Sequence, residues 1–466
     1  MLRKVVRSTG ALLILVTTLL TGVSVSSQSG LDPAMVALWE RTDRPVADQQ
    51  VDRSWLWGPQ ANGIRNEPYT YEALDGNQRL VAYFDKSRME INDPAGDSSA
   101  VWYVTNGRLV WEMMTGRMQT GQEPDLFDFV LPATIPVAGD VYGWETPTYQ
   151  ALGRHMEGAR DQTGQTVIAT IDQWGSIGAD LTPLESRQYA QYVTYAGPDG
   201  ELGHNIPDVF WDFLTGEIDP LVTPANWIFV MGYPLTEAFW STATIGGAPH
   251  DVMLQCFERR CLTYTPANNE PFKVEMGNVG IHYHLWRHEF YSYPCPEQPL
   301  RGFGELWREN DRVRAELGCA EIYYGGEQTF STAYEEFEHG AMLWMAIEDE
   351  YYSEQTVIVL YDDGSFDRFT DTWDDSQPVD DPALVPPDGL YQPRFGFGKV
   401  WRDAPGVRER LGWALAPETG SDGEFQRFNY GMMVWRENED LIWVLYGNLY
   451  WDANGTWEVF EDTFGE

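Results

Sequence analysis

The pattern Phe-x-x-Gly-x-Met-x-Trp occurs twice in this chain, and its recurrence limits the possible folds more than any other feature. Phe337, Gly340, Met342 and Trp344 make one copy; Phe428, Gly431, Met433 and Trp435 make the other. A looser version stands at Phe84, Met89 and Ile91, with Ser87 in the glycine position. Another stands at Phe257, Leu262 and Tyr264, with Arg260 there. A self-similar chain predicts an array of small units. Arrays usually bind or scaffold, which weighs against a single-site enzyme.

The repeat extends beyond the pattern. Phe303-Gly304 realigns with Phe397-Gly398, 94 residues later, and Trp307, Arg308, Val313, Arg314 and Leu317-Gly318 match Trp401, Arg402, Val407, Arg408 and Leu411-Gly412. Leu306, Val313 and Leu317 share one helical face, and Gly318 is placed to stop that helix in a left-handed cap. Met342 and Trp344 point to one side of a strand. Second strands follow at 357–361 and 441–446, with Asp363-Gly364 and Asn454-Gly455 as turn signals. The predicted fold class is therefore α+β and β-rich. It consists of repeated short helix plus antiparallel hairpin modules in a propeller-like or tandem-blade arrangement.

This reading divides the chain into a signal peptide (1–27), module 1 (28–121), an insertion or small separate unit (122–205) and module 2 (206–291). A Pro-rich linker (292–302), module 3 (303–373), an acidic Pro-rich linker (374–394) and module 4 (395–466) follow. Module 1 has Ala34–Arg41 as its helix, and 84–91 and 101–111 as strands. In module 2 a helix starts from Pro207, and Val274, Gly277 and Val279 supply a strand. Thr166–Gln173 is the best strand of the insertion.

Arg3, Lys4 and Arg7, then the apolar run 11–20, then small residues 22–27, follow the order of a secretory signal. The run is too short to span a bilayer comfortably. The predicted location is secreted or cell-surface, with no membrane span after cleavage. The net charge of −40 becomes about −43 without residues 1–27, which repels nucleic acid. Four cysteines suit an oxidising compartment. Cys295–Cys319 is the preferred pair and Cys256–Cys261 the second, flanking a plausible four-residue turn.

Catalytic signatures are missing. Gly175-Ser176-Ile177-Gly178 lacks the spacing of a nucleophile elbow, His288-Glu289 is not completed by a second histidine, and no cofactor motif occurs. His282, His284 and His288 are the one cluster with metal-ligand character, since His282 and His284 would share a strand face. Asp362-Asp363 and Asp452 have calcium-ligand chemistry but read better as turn residues. Trp344, Trp435, Tyr361 and Tyr446 are the aromatic candidates for ligand binding, Tyr361 and Tyr446 lying nearer the rim.

The run Leu411-Gly412-Trp413-Ala414, Glu418 and 425–431 resembles the LGFP repeat. So do Leu317-Gly318-Cys319-Ala320 with 337–340 and, more loosely, 231–234 with Glu237 and 257–259. Ala320 and Ala414 replace that family's proline, and the units here are longer. The resemblance implies an exported bacterial protein attached to cell-wall glycan. The expected function is thus non-catalytic binding of glycan or wall polysaccharide. One alternative is a secreted hydrolase with its site in 122–290, drawing on Asp172, His204, Asp208 and Glu237. Another is a structural surface protein that self-associates.

Overall fold

The computed structural model describes residues 30–464, except 124–125, 142, 144, 179–184, 198–199, 290–294, 296–297, 322–326, 349–352 and 448–453. The predicted signal segment and Asp452 lie outside the described residues.

The chain builds an N-terminal lobe and a C-terminal barrel. The lobe opens with helices α1 (Pro33–Thr42) and α2 (Arg44–Ala47), then strands β1 (Gly63–Pro68), β2 (Gln78–Tyr83) and β3 (Arg88–Ile91) in one sheet. Helix α3 (Leu109–Thr115), strands β4 (Arg117–Gln119) and β5 (Phe127–Phe129), and helix α4 (Tyr149–Gly153) follow. Then come the hairpin β6 (Tyr189–Gly197) and β7 (Gly200–Pro207), and helix α5 (Asp208–Phe213), which runs into a π turn. Helices α6 (Asp219–Val222) and α7 (Trp227–Met231) precede a sheet of β8 (Phe239–Ile245), β9 (Ala248–Cys256), β10 (Cys261–Tyr264) and β11 (Val274–Met276). Helix α8 (Val279–His288) closes the lobe.

Two apolar cores fill the lobe. Trp39, Trp57, Phe84, Phe210 and Phe257 pack in one, and Tyr83, Met113, Tyr149, Phe239 and Tyr283 in the other. Residues of 122–205 enter both, Val167 and Tyr189 the first and Val130, Leu152 and Ile171 the second. Between the sheet and α8 lies a buried ion network. Arg88 sits 3.1 Å from both Glu67 and Glu90, and Arg79 is 2.6 Å from Glu90. Burial alone would raise the Glu67 carboxyl; Arg88, His288 and Arg287 hold it well below the usual carboxylate range.

The barrel region begins with α9 (Arg301–Glu309) and α10 (Asp311–Leu317), then β12 (Gln328–Phe337), β13 (Gly340–Glu348), β14 (Ser353–Tyr361) and β15 (Ser365–Thr370). Helices α11 (Phe395–Asp403) and α12 (Val407–Leu411) follow, then β16 (Thr419–Phe428), β17 (Gly431–Arg436), β18 (Leu441–Tyr446) and β19 (Asn454–Glu461). These eight strands close in the order β12-β13-β14-β15-β19-β18-β17-β16, every neighbour antiparallel.

The closed barrel overturns the predicted propeller or tandem-blade array, and the packing supplies the reason. Alternate strand residues fill the barrel interior, among them Phe330, Leu343, Leu360, Phe425, Val434 and Leu445. The other faces need helices, and each half borrows them. Phe303, Trp307, Val313 and Leu317 of α9 and α10 pack on Met433, Ile442 and Val444. Phe397, Trp401, Val407 and Leu411 of α11 and α12 pack on Met342, Val357 and Val359. Among the described residues neither stretch has a core of its own, so neither stands as a module. Closure also removes the open sheet edges that blades would expose.

What recurs instead is a local clip at a helix end. Gly232, Gly318 and Gly412 terminate α7, α10 and α12 with φ of 72°, 77° and 75° and ψ of −171°, −150° and −150°. This is the extended positive-φ region reserved for glycine, not the left-handed cap predicted for Gly318. The next residue's N–H then reaches a side chain on a facing turn. Tyr233 donates to Glu258 at 3.0 Å, Cys319 to Asn429 at 2.7 Å and Trp413 to Glu338 at 2.8 Å. Indole N–H groups brace two of these ends, Trp307 to Gly318 O at 2.9 Å and Trp401 to Gly412 O at 2.7 Å.

Other expectations change locally. The predicted strand at 101–111 is turns leading into α3, because Leu109, Val110 and Met113 face the core with helical spacing. Thr166–Gln173 makes only isolated bridges. Asn310 caps Val313 N at 3.0 Å and splits the single predicted helix into α9 and α10. Asn454-Gly455 opens β19 instead of forming a turn. Both expected disulfides are present: Cys256–Cys261 across β9 and β10, and Cys295–Cys319 at the end of α10. They fit an oxidising environment. No helix among the described residues is long and apolar enough to cross a membrane.

Candidate functional site

A cleft of about 340 Å³ opens on the lobe beside the end of α4. Thr148 caps α4 by accepting the N–H of Ala151 at 3.1 Å, and the chain leaves the helix through Arg154, His155 and Glu157. A turn at 172–176 forms its neighbour. Asp172 Oδ1 accepts the N–H groups of Trp174 at 2.9 Å and Ser176 at 2.8 Å, so the turn is fixed by its own first residue. His155 holds Gly175 O at 2.6 Å, and Arg154 donates to Trp174 O at 3.3 Å. Gly175 has φ 86°, and a Cβ there would stand 2.9 Å from Ala151 O, so only glycine lets the turn lie this close to α4. The result is a tryptophan ring that is 67 % exposed on a clamped backbone. Ile168, at 72 % exposed, and Ile177, at 54 %, line the cleft itself, which the Trp174 turn flanks through Arg154 and His155.

Glu237 supplies the polar side of the cleft. Its Oε1 accepts from Asn205 N at 2.9 Å and its Oε2 from Asn205 Nδ2 at 3.1 Å, with His204 Nδ1 3.3 Å away. Asn205 is anchored in turn by Arg160 O and Gln162 N. Burial and Glu237 together raise the Tyr189 phenol above its ordinary value, while burial lowers the His155 imidazole. The cleft thus offers a fixed carboxylate, further polar groups at Arg154, Gln162 and Thr166, and an apolar rim. That combination suits a ligand with hydroxyls on its edges and an apolar ring face.

Of the four hydrolase candidates, the structure brings together His204 and Glu237. Asp172 is spent on its turn. Asp208 begins α5, where its carboxylate accepts Val209 N–H at 2.8 Å, and it does not line the cleft. His204 is fully buried, and its Nε2 has no partner among the described residues.

None of the four barrel aromatics lines this cleft. Tyr361 and Tyr446 are buried, not at a rim. Tyr361 donates to Asp367 at 2.9 Å with Arg410 lying 3.3 Å over its ring. Trp344 is half-buried and donates to Asp371 at 2.9 Å; Trp435 packs against the core under α9 and α10. The alternation of Met and Trp reflects strand faces covered by helices.

The three histidines lie on helix α8, not a strand, which separates the expected pair. His282 is buried against the Tyr149 hydroxyl at 2.9 Å, and burial, followed by Lys86, pushes its imidazole down to about 4. His284 and His288 share another face, their rings 5.1 Å apart, with His288 3.2 Å from Glu67. Among the described residues no group of three or more His, Cys, Asp or Glu side chains is arranged to hold a metal ion. Asp363 caps Ser365 N at 3.0 Å and pairs with Arg410, as turn chemistry requires.

Sequence reasoning missed Trp174, Ile168, Ile177 and Tyr189. They fall where the repeat is interrupted, so no periodicity marked them. The available signal was local: an Asp two residues before a Trp and a Gly after it describe a turn that lifts an aromatic ring outward. Compared with known protein families, curated proteins and solved structures, the chain matches none.

Proposed function

We propose that the protein is a secreted or surface-displayed, non-catalytic binding protein whose ligand is a cell-wall glycan or polysaccharide, held in the cleft that the Trp174 turn flanks. One observation carries the reading: a largely exposed tryptophan sits on a turn held by Asp172, His155 and Arg154, and the last two residues line the cleft that also contains the fixed carboxylate of Glu237. Exposing an indole costs apolar burial, and clamping its loop prepays the ordering that binding would otherwise require. The likeness to the LGFP repeat supports the same ligand class. The test is retention of the full chain on insoluble polysaccharide and peptidoglycan at two salt concentrations, beside Trp174→Ala. Retention that survives high salt and is lost in the variant supports the reading; equal retention by both proteins removes it.

A secreted hydrolase is the second reading, favoured by the 3.3 Å contact of His204 with Glu237 at the cleft. Release of soluble fragments from a bound polymer, abolished by Glu237→Gln, would establish it. A polymer retained intact would dismiss it.

A further inference from the structure

We propose that the groove between lobe and barrel is a second subsite, which holds the ammonium groups of an amino-sugar polymer running on from the cleft that the Trp174 turn flanks. The inference rests on the glycan reading and narrows its ligand. The groove measures about 800 Å³ and takes its walls from both parts of the molecule: Trp111, Tyr195 and Tyr233 from the lobe, Glu305, Glu309 and Glu461 from the barrel. Glu157 lines the cleft and the groove alike, so the two adjoin as one track long enough for several rings.

Two properties of the groove select the ligand. The first is aromatic. Tyr195 and Tyr233 stack with centroids 4.9 Å apart and planes 12° from parallel, both half-buried. The rigid pair offers a surface for the apolar face of a sugar ring. The second is charge. Six carboxylates line the groove against three guanidinium groups, and those three are engaged. Arg117 pairs with Asp311 at 2.6 Å, Arg312 meets Glu157 at 3.3 Å and also holds Glu458, and Arg108 lies 4.1 Å over Trp111. Glu305, Glu309 and Glu461 have no ion-pair partner among the described residues. An ammonium beside aromatic faces gains from both the carboxylates and the rings. A neutral N-acetyl sugar gains from the rings alone, and a uronic acid is repelled.

The experiment is calorimetric titration of the full chain with three probes: a glucosamine hexamer, an N-acetylglucosamine hexamer and a lysine hexamer. Wild type is compared with Trp174→Ala and with the triple variant Glu305→Gln, Glu309→Gln, Glu461→Gln, whose sites are at least partly exposed. The expected result is roughly tenfold tighter binding of the glucosamine hexamer than of its acetylated form. The triple variant brings that ratio close to one, and Trp174→Ala weakens both sugars. Equal affinity for the two sugars in wild type, or a preference that survives the triple variant, overturns the proposal. Lysine hexamer binding as tightly as glucosamine hexamer also overturns it, since the groove would then capture any cation. If neither sugar binds, the glycan reading itself falls; if both bind equally, only the amino-sugar assignment does.

Discussion

Glu335 occupies on β12 the position that Gln426 occupies on β16, each two residues before the phenylalanine that ends its strand. Gln426 donates to Glu321 O at 3.1 Å and Arg427 O at 2.8 Å. Glu335 is similarly buried, yet its Oε2 has no hydrogen-bond partner among the described residues. Burial first, and Glu418 second, push its carboxyl up to about 8; Glu418 has Arg394 and Asp371 beside it in turn. A protonated Glu335 presents an O–H where Gln426 presents an N–H.

The sign of the pH effect follows. Folding raises this carboxyl above its ordinary value, so its contribution to stability is complete below about 4.5 and is lost as pH rises through about 8. Glu335→Gln should therefore melt close to wild type at pH 4.5 and increasingly above it towards pH 8. Melting curves of the two proteins across that range check this; a constant gap counts against it.

Replacing Gly412 by Ala should destabilise the barrel by about 1–3 kcal/mol, the cost of forcing a side chain into a glycine-only backbone region. The new Cβ would also stand 2.5 Å from Glu338 Oε2, the acceptor that holds Trp413 N. Gly389, which has φ 85° but nothing within 4 Å of its added Cβ, is the control for backbone strain alone. Denaturant titration should show the larger loss at Gly412.

Trp174→Ala should leave the melting temperature almost unchanged, because the ring is mostly in solvent. Its effect should fall on polymer retention, by about tenfold if one ring face is lost. A large loss of stability would mean that the ring packs more than its exposure shows.

Opening the Cys295–Cys319 bridge with paired serines should cost about 3 kcal/mol, since it closes a loop of some 25 residues in the unfolded chain. The bridge sits where the lobe meets the barrel: Cys295 donates its N–H to Phe129 O at 2.6 Å, and Phe129 covers Trp307 at 5.0 Å. Proteolysis near residue 295 should accelerate in the variant more than elsewhere.

Much of the local structure was legible in the sequence, and the reason lies in particular residues. The period of Leu306, Val313 and Leu317, and the alternation of Met342 and Trp344, describe elements buried on one side. Nothing in those patterns says which neighbour buries them. The same apolar face fits a partner in its own half or in the other, so sequence alone led to blades where the structure has a barrel. The candidate site was less legible still. Glu237 and His204 are candidate catalytic residues by their chemistry, but their meeting depends on β7 and the loop before β8, which are separate in the chain. Trp174 is illegible because what sets it apart is its exposure, which no periodicity encodes. Tyr361 and Tyr446 misled for the opposite reason: strand-end tyrosines look accessible until a helix covers them.

The helices of each barrel half lie on the strands of the other, and this has a genealogical consequence. A chain carrying only one helix-and-strand unit would leave its apolar strand face bare, and the surface that fits it best is the helix pair of an identical chain. Two such chains would complete each other around a twofold axis. Joining them end to end makes that partnership permanent and releases the two outer surfaces to diverge. The two outer surfaces already differ: Trp307 is covered by Phe129 of the lobe, while its counterpart Trp401 is covered by Trp413 of its own unit.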